Sequence, residues 1–240
     1  MSTQTKRQLL AIMFTDIVGY SAIMQEDESL AFRMRKQHRA VFERNHQLFN
    51  GELVQYYGDG TLSVFKSAVE AVKCAIEIQK QLQKDDNIPV RIGLHLGDIA
   101  YNDTEVFGDG VNLTARIEQI APPKSILISA KLNDELLNHK NIPTISMGHY
   151  KLKNITAPVE LFAIINDEFN VPSSTELNGV KIENDKTIAV LPFANFSNGD
   201  QEYFSDGITE EIINALAKIK ELKVTSRTSS FHFKNKNIPI

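Results

Sequence analysis

Residues 9–20 read LLAIMFTDIVGY. The first six are apolar and lie between polar residues, which is typical of a strand buried on both faces, and the run is too short for a core helix. Asp16 follows almost immediately. The sequence therefore predicts a buried strand with a carboxylate just beyond its end.

The pattern after this strand predicts alternating helices and strands. Helical spacing of apolar residues extends over 29–49, and a second helix is expected over 67–84. Between them two strand-like runs flank Gly58-Asp59-Gly60, a strong hairpin signal that places Asp59 at the tip. The further elements expected are a strand over 90–99, a helix over 109–120, a strand over 125–128, a short helix over 129–137, and strands over 142–152 and 158–165. The order β-α-β-β-α-β predicts an α/β (α+β) ferredoxin-like sandwich with helices on one face of the sheet.

Three segments follow from this pattern. Residues 1–166 contain the sandwich. Residues 167–186 have few large apolar side chains and are predicted to be a linker. Residues 187–240 predict one β-α-β unit, with strands over 187–193 and 222–225 and a helix over 209–219. So small a unit buries too little apolar surface to be stable alone, so we expect it to be the truncated N-terminal part of a larger α/β domain.

Composition argues against several functions. The chain of 240 residues has 26 Lys and Arg against 30 Asp and Glu, a net charge of −4, which disfavours capture of nucleic acid or anionic lipid. Cys74 is the only cysteine, so neither an intrachain disulfide nor a cysteine-based zinc site is expected. No apolar run approaches the roughly 20 residues that cross a bilayer. We expect a cytoplasmic chain without a transmembrane segment or a nucleic-acid partner.

Two carboxylates are candidates for metal binding. Asp16 and Asp59 are expected at neighbouring loop tips of one sheet, where they could share a divalent cation, since magnesium takes a few carboxylate oxygens together with substrate phosphates. Taken singly, Asp16 also fits a helix cap and Asp59 a turn former.

A second group lies on the helix predicted over 109–120. Asn112 and Arg116 are four residues apart, so an amide and a guanidinium share one face and could converge on a ligand. A guanidinium suits phosphate oxygens because its planar fork donates two hydrogen bonds. The alternative is a solvated face on which Arg116 pairs with an acid such as Glu118 or Glu26.

These residues fall within four motifs that resemble, as a set and in order, the catalytic domain of class III nucleotidyl cyclases. The resemblance spans Ala11 to about Ile165. The motifs are FTDIVGY at 14–20, YGDG at 57–60 followed by Phe65, RIGLHLG at 91–97, and VFGDGVNLTAR at 106–116.

The resemblance implies a lyase that converts a nucleoside triphosphate to its 3′,5′-cyclic monophosphate and pyrophosphate; with ATP this is cAMP biosynthesis by an adenylate cyclase in signal transduction. Two ions per site, Mg²⁺ or Mn²⁺, would be held by Asp16, Asp59 and the backbone of Ile17. The phosphates would also be bound by backbone amides that open the next helix, those of Ile17, Val18, Gly19 and Tyr20.

The resemblance assigns the other residues as well. Asn112 would position the ribose, Arg116 would neutralise charge that grows on the α-phosphate, and Lys153 stands where the family often has a triphosphate-binding lysine. In this family the carboxylates of one chain meet the Asn and Arg of another, so a homodimer would carry two symmetric sites.

Base recognition departs from the family pattern. Adenylyl cyclases commonly place Lys and Asp at the positions held here by Gln55 and Glu105. An amide can turn round, so Gln55 and Glu105 can be matched to adenine, to guanine or to cytosine. ATP is favoured because that activity is common in the family; GTP or a pyrimidine triphosphate is the alternative.

Two further expectations remain. Residues 187–240 resemble the start of a TolB-like domain, through IAVLPF at 188–193 and YFSDGITEE at 203–211, which implies an arm that binds a protein partner or regulates. The alternative of another functional class is a cyclase-like domain that binds nucleotide without turnover and signals through this arm.

Overall fold

The computed structural model describes residues 6–85, 87–101, 106–182, 186–193, 202–219 and 222–234. It divides into two compact units, 1–182 and 183–240. The elements of the first unit are β1 (Lys6–Ile17), α1 (Tyr20–Glu26), α2 (Glu28–Leu48), β2 (Gly51–Tyr57), β3 (Gly60–Phe65), α3 (Ala68–Asp85), β4 (Val90–Tyr101), β5 (Val106–Phe107), α4 (Asp109–Ile120), β6 (Ile126–Ser129), α5 (Ala130–Asp134), β7 (Thr144–Lys151), β8 (Val159–Ile164) and β9 (Val180–Ile182). The second unit contains β10 (Lys186–Ile188), α6 (Glu202–Ala217), β11 (Leu222–Val224) and α7 (Arg227–Phe231).

The first unit is built on one mixed sheet with the order β2-β3-β1-β4-β6-β8-β7-β9, to which β5 is added beside β4. The first four strands in this order are joined antiparallel, and β6 pairs parallel with β4. The chain order β1-α2-β2-β3-α3-β4, with β3 and β1 as the central strands of these four, is the predicted ferredoxin-like core. The hairpin is also confirmed, because Gly58 and Asp59 form the turn between β2 and β3.

Strand β1 is longer than its apolar run. It begins at Lys6 and ends at Ile17, and it pairs with β3 on one side and β4 on the other. Asp16 therefore lies inside the strand, paired with Arg91, where the sequence predicted it just beyond the end. A central strand has a hydrogen-bonding neighbour on each side, so its ladder continues through polar residues.

Helices cover both faces of the sheet, whereas the sequence predicted helices on only one face. Alternate side chains of β1 point to opposite faces: Met13 packs in the core beneath α2 and α3, and Ile12 packs with Val111 of α4. Gly93 of β4 makes close approach of α4 possible, since a Cβ there would lie 2.4 Å from the backbone nitrogen of Glu118. The site residues of α4 are thus held against the centre of the sheet.

The structure contradicts the predicted linker over most of residues 167–186, because this part of the chain packs on the first unit. Phe169 and Leu177 are buried in the hydrophobic clusters of the first unit, and β9 extends the sheet by pairing with β7. A few apolar side chains are enough to hold the segment on the first unit because its backbone also makes hydrogen bonds there. For example, the backbone carbonyl of Ser174 accepts a hydrogen bond from the Tyr150 hydroxyl. The division between the two units falls after Ile182.

The second unit has the predicted β-α-β order, with β10 and β11 parallel. The first strand is shorter than predicted, and α6 begins before the predicted residue 209. Along α6, Tyr203 and Phe204 are exposed. Among the described residues, no helix has the length and apolar character needed to span a bilayer.

Candidate active site

The two candidate carboxylates are in contact. Antiparallel pairing of β1 with β3 sets Thr15 opposite Thr61, which brings Asp16 beside the turn that carries Asp59. Close approach depends on Gly60, because a Cβ there would lie 2.5 Å from the carbonyl oxygen of Thr15. When it is protonated, the Asp59 carboxyl can donate a hydrogen bond to the Asp16 carboxylate, and it accepts one from the backbone N–H of Ile17. Burial, together with the Asp16 charge, raises the pKa of Asp59 to about 6.

This donor set fits a hard divalent cation. Two carboxylates that touch are mutually unfavourable when both are ionised, and a cation between them removes that cost. No cluster of three or more His, Cys, Asp or Glu side chains suited to a metal occurs among the described residues. Magnesium requires no such cluster, since it is commonly held by one or two carboxylates plus waters and substrate phosphates.

The backbone after β1 supplies fewer free amides than predicted. The Val18 N–H donates to the Pro89 carbonyl at 2.8 Å, so it is occupied and its predicted phosphate contact does not fit this structure. Gly19 adopts a positive φ of 78° and caps α1 without a side-chain hydrogen bond. The side chains of Ile17 and Tyr20 are buried in the core, so both residues can offer only backbone groups to a ligand.

The second predicted group lines a cavity. Asn112 and Arg116 lie one turn apart on α4, and with Lys153, which follows β7, they line a cavity of about 490 Å³. The Arg116 guanidinium is oriented by a hydrogen bond, because its Nη1 donates to Gln119 Oε1 at 2.6 Å. Neither Asp16 nor Asp59 lines this cavity. The structure thus groups the predicted residues into two sets on one chain.

The base-recognition residues are only partly described. Gln55 is exposed on β2, which lies at the edge of the sheet, and it sits at an irregularity in the pairing with β3. It therefore belongs to the same hairpin as Asp59. Glu105 lies outside the described residues.

Sequence reasoning missed Arg91. Its Nη2 and Nε donate to Asp16 Oδ2 at 2.7 and 3.2 Å, its Nε is 2.5 Å from Glu118 Oε1, and its Nη1 donates to the Gln119 carbonyl at 3.0 Å. Burial raises the pKa of Glu118 to about 7, against the effect of Arg91. Arg91 is the first residue of the motif RIGLHLG at 91–97. Its partners Asp16 and Gln119 are 75 and 28 residues away in sequence, so no local pattern reveals these contacts.

A buried polar group supports the carboxylates from behind. The Thr15 hydroxyl lies 2.7 Å from the Thr61 hydroxyl and 3.2 Å from His38 Nε2. His38 is fully buried, and burial lowers its pKa to about 4. The neutral imidazole therefore links α2 to Thr15 of β1, which in turn contacts Thr61 at the start of β3, close to the turn that carries Asp59. His95, by contrast, is buried, and its Nδ1 lies 2.7 Å from the Ser129 hydroxyl.

Comparisons with known proteins assign the chain to a family. The profile of the adenylate and guanylate cyclase catalytic domain matches residues 2–166, and the chain belongs to that family. Its resemblance to class III cyclases is thereby confirmed; the TolB-like resemblance stays a prediction.

Particular relatives agree with this assignment. The putative adenylate cyclase 3 of Rhizobium meliloti is 37% identical over 242 residues, 96% of this chain and 41% of that protein. An adenylate cyclase of Streptomyces coelicolor is 28% identical over 141 residues, 56% of this chain and 36% of that protein. The chain thus spans about two fifths of the length of these curated relatives.

Solved structures agree on the fold. An adenylate/guanylate cyclase/hydrolase from Silicibacter pomeroyi superposes with a TM-score of 0.64 at 32% identity, covering 68% of this chain and all of that one. The adenylyl cyclase CyaB from P. aeruginosa gives 0.62 at 20% identity, covering 68% of this chain and 97% of that one. The second likeness concerns the fold alone.

Proposed function

We propose that residues 1–166 form an adenylate cyclase catalytic domain, which converts ATP to 3′,5′-cyclic AMP and pyrophosphate at a homodimer interface. The observation that carries the proposal is the contact between Asp16 and Asp59. Two carboxylates pressed together reduce stability in the absence of a cation, and such arrangements are concentrated at functional sites.

Asp16, Asp59 and the Ile17 backbone would hold two Mg²⁺ or Mn²⁺ ions. Bound there, the ions would supply polarisation of the ribose 3′-hydroxyl and neutralisation of the triphosphate charge. The 3′-oxygen forms a bond to the α-phosphorus, its proton is lost, and the bond to the pyrophosphate leaving group breaks. The chain's contribution is to keep the reacting groups aligned and to oppose charge that develops in the transition state.

Asn112, Arg116 and Lys153 would serve the other half of the site. Their shared cavity offers an amide for the ribose and two cations for the phosphates. Arg116 suits the α-phosphate because its planar fork can donate two hydrogen bonds to a charge-bearing group. Asp16 and Asp59 do not line the cavity that Asn112 and Arg116 share, which supports a head-to-tail dimer in which each site takes one set from each protomer.

ATP is the proposed substrate. The two curated relatives given above are named as a putative adenylate cyclase and an adenylate cyclase, and the Gln55 amide can donate to adenine N1. The same amide, turned round, accepts a hydrogen bond, so this residue does not discriminate strongly by itself. The test must therefore compare bases directly.

The experiment is a panel of ATP, GTP, CTP and UTP with Mg²⁺ or Mn²⁺, read by mass spectrometry. We expect cyclic AMP to be the main product, together with equimolar pyrophosphate. No cyclic product from any triphosphate, with the dimer verified by light scattering, would refute the proposal. Retained nucleotide binding without product would instead favour the regulatory domain that binds nucleotide without turnover.

Complementation tests the shared site. An Asp16→Ala chain and an Arg116→Ala chain are each expected to be inactive alone. When the two chains are mixed, they should form heterodimers with one competent site each. In a statistical mixture half of the dimers are heterodimers and one of their two sites is competent, so the activity should approach about one quarter of the wild-type value. A mixture that stays inactive, although heterodimers are detected by native mass spectrometry, contradicts the shared-site arrangement.

The role of the second unit and the location of the protein stay predictions. A partner-binding or regulatory arm is what the TolB-like resemblance implies for 187–240. A cytoplasmic location is likewise an expectation from composition.

A further inference from the structure

Arg91 makes polar contacts with Asp16 and with the end of α4, the helix that carries Asn112 and Arg116. It lies near the start of β4, and its side chain reaches Asp16 on β1 and the last turn of α4. These contacts occupy three nitrogens of one guanidinium, at 2.5 to 3.2 Å. A planar fork with five donors is suited to such bridging, and a lysine at this position could not reproduce it.

Toward the carboxylates, Arg91 leaves part of Asp16 available. Arg91 donates to Oδ2, whereas Oδ1 faces the hairpin, 3.6 Å from the position of a Cβ at Gly60. The carboxylate is therefore divided between a fixed guanidinium and the side where Asp59 lies. Groups that bond a ligand from behind in this way orient it for a metal.

Toward α4, Arg91 holds the helix end next to the site arginine. It donates to the Gln119 carbonyl and lies against the Glu118 carboxylate. The Gln119 side chain in turn accepts from Arg116 at 2.6 Å. A continuous set of polar contacts thus runs from Asp59 through Asp16 and Arg91 to Arg116 within one chain.

We propose that Arg91 is a positioning residue that couples the two half-sites of a chain, so that metal binding at Asp16 and Asp59 changes how the Arg116 of the same chain is held. The inference rests on the proposed function, in which that Arg116 serves the other site of the homodimer. Metal occupancy in one site would then affect the arginine supplied to its twin.

The physical reason is charge balance. The carboxylates of Asp16 and Glu118 both pair with one guanidinium, and the charge of Asp59 acts on these two carboxylates. A divalent cation beside Asp16 weakens the attraction of that carboxylate for Arg91 and repels the guanidinium, which then favours Glu118 and the end of α4. Coupling of this kind needs only two arrangements of one side chain, each favoured by a different ligand state.

The first experiment measures Mn²⁺ binding by calorimetry without nucleotide. Arg91→Gln should weaken Mn²⁺ binding by about 10–100-fold, the usual effect of losing a group that orients a metal ligand, because this loss outweighs the relief of repulsion between the guanidinium and the cation. Arg91→Lys keeps the charge and serves if the Gln variant fails to fold; it should weaken binding less but clearly. Arg44→Gln, an exposed arginine on α2, is the matched control and should bind as wild type does. Wild-type affinity in Arg91→Lys and Arg91→Gln would overturn the proposal.

The second experiment follows α4 directly. Hydrogen exchange of a peptide over 113–121 should change when Mn²⁺ is added to the wild-type dimer, and this response should be lost in Arg91→Gln. Gln119→Ala removes the contact to Arg116 and should leave Mn²⁺ affinity unchanged while lowering kcat. If Mn²⁺ binds and exchange in the wild-type peptide does not change, the coupling is refuted.

Heterodimers separate the two roles. In the single competent site formed by Asp16→Ala and Arg116→Ala chains, Arg91→Gln on the chain that supplies the carboxylates should raise the Mn²⁺ requirement. The same change on the chain that supplies Arg116 should lower kcat at saturating Mn²⁺. An effect from only one of the two placements contradicts coupling. Mn²⁺ binding that depends on Arg91 in a protein that forms no cyclic product would reject the proposed function alone.

Discussion

Asp59→Asn should stabilise the metal-free protein while it abolishes metal-dependent turnover. The folded protein presses Asp59 against Asp16, and burial with that neighbouring charge raises the pKa of Asp59 from 3.8 to about 6. An acid whose pKa is raised on folding contributes stability below its unfolded pKa and loses it as the pH rises through the folded value. At pH 7.5 the ionised carboxylate is therefore unfavourable, and an amide, which can donate to Asp16, relieves it.

The magnitude follows from the same values. A pKa difference of about two pH units corresponds to an upper limit of about 3 kcal/mol. Asp59 is partly exposed to solvent, which screens the charges, so we expect a gain of about 1 kcal/mol in the free energy of unfolding. The gain should shrink as the pH is lowered through 6 towards 4, where the wild-type carboxyl of the folded state is protonated and its charge no longer opposes folding.

The assay is urea unfolding in EDTA at several pH values, followed by the same titration with Mn²⁺. Wild type should gain stability from Mn²⁺ through binding to the folded state, whereas Asp59→Asn should gain much less. Asp59→Glu keeps the charge and should not show the stabilisation in EDTA. If Asp59→Asn is less stable than wild type in EDTA at pH 7.5, then Asp59 makes net favourable contacts without metal and the reasoning is wrong.

Three further outcomes are expected. Acidification from pH 7 to 5 should lower the free energy of unfolding by about 2 kcal/mol through His38, because its pKa falls to about 4 on folding and the unfolded state takes up the proton. Urea unfolding of His38→Gln should show a correspondingly smaller loss over the same pH range. Equal losses in wild type and His38→Gln would contradict this. Gly51→Ala should cost about 1–3 kcal/mol by overpacking, since its Cβ would lie 2.4 Å from the Phe65 ring; an unchanged thermal midpoint would count against it. Arg116→Ala should lower kcat by about 10²–10³-fold with Mn²⁺ affinity within about twofold, and a parallel loss of Mn²⁺ binding would show that the arginine acts on the metal instead.

Features set by neighbouring residues could be predicted from sequence. The Gly58-Asp59 turn, the helix that carries Asn112 and Arg116, and the buried strand before Asp16 all depend on patterns within a few residues. Periodicity and turn chemistry are local properties, so they are legible before the chain folds. The proximity of the two carboxylates was likewise expected, because Asp16 and Asp59 were predicted at neighbouring loop tips of one sheet.

What tertiary structure decided depends on residues far apart in the chain. The pairing of Arg91 with Asp16 follows from the register of β1 against β4, and a slip of one residue would turn either side chain to the other face. The same holds for the burial of Glu118 and for the packing of 167–182 on the first unit. A carboxylate in sequence has no fixed charge state or partner, because both are set by which groups the folded chain brings within a few ångströms of it.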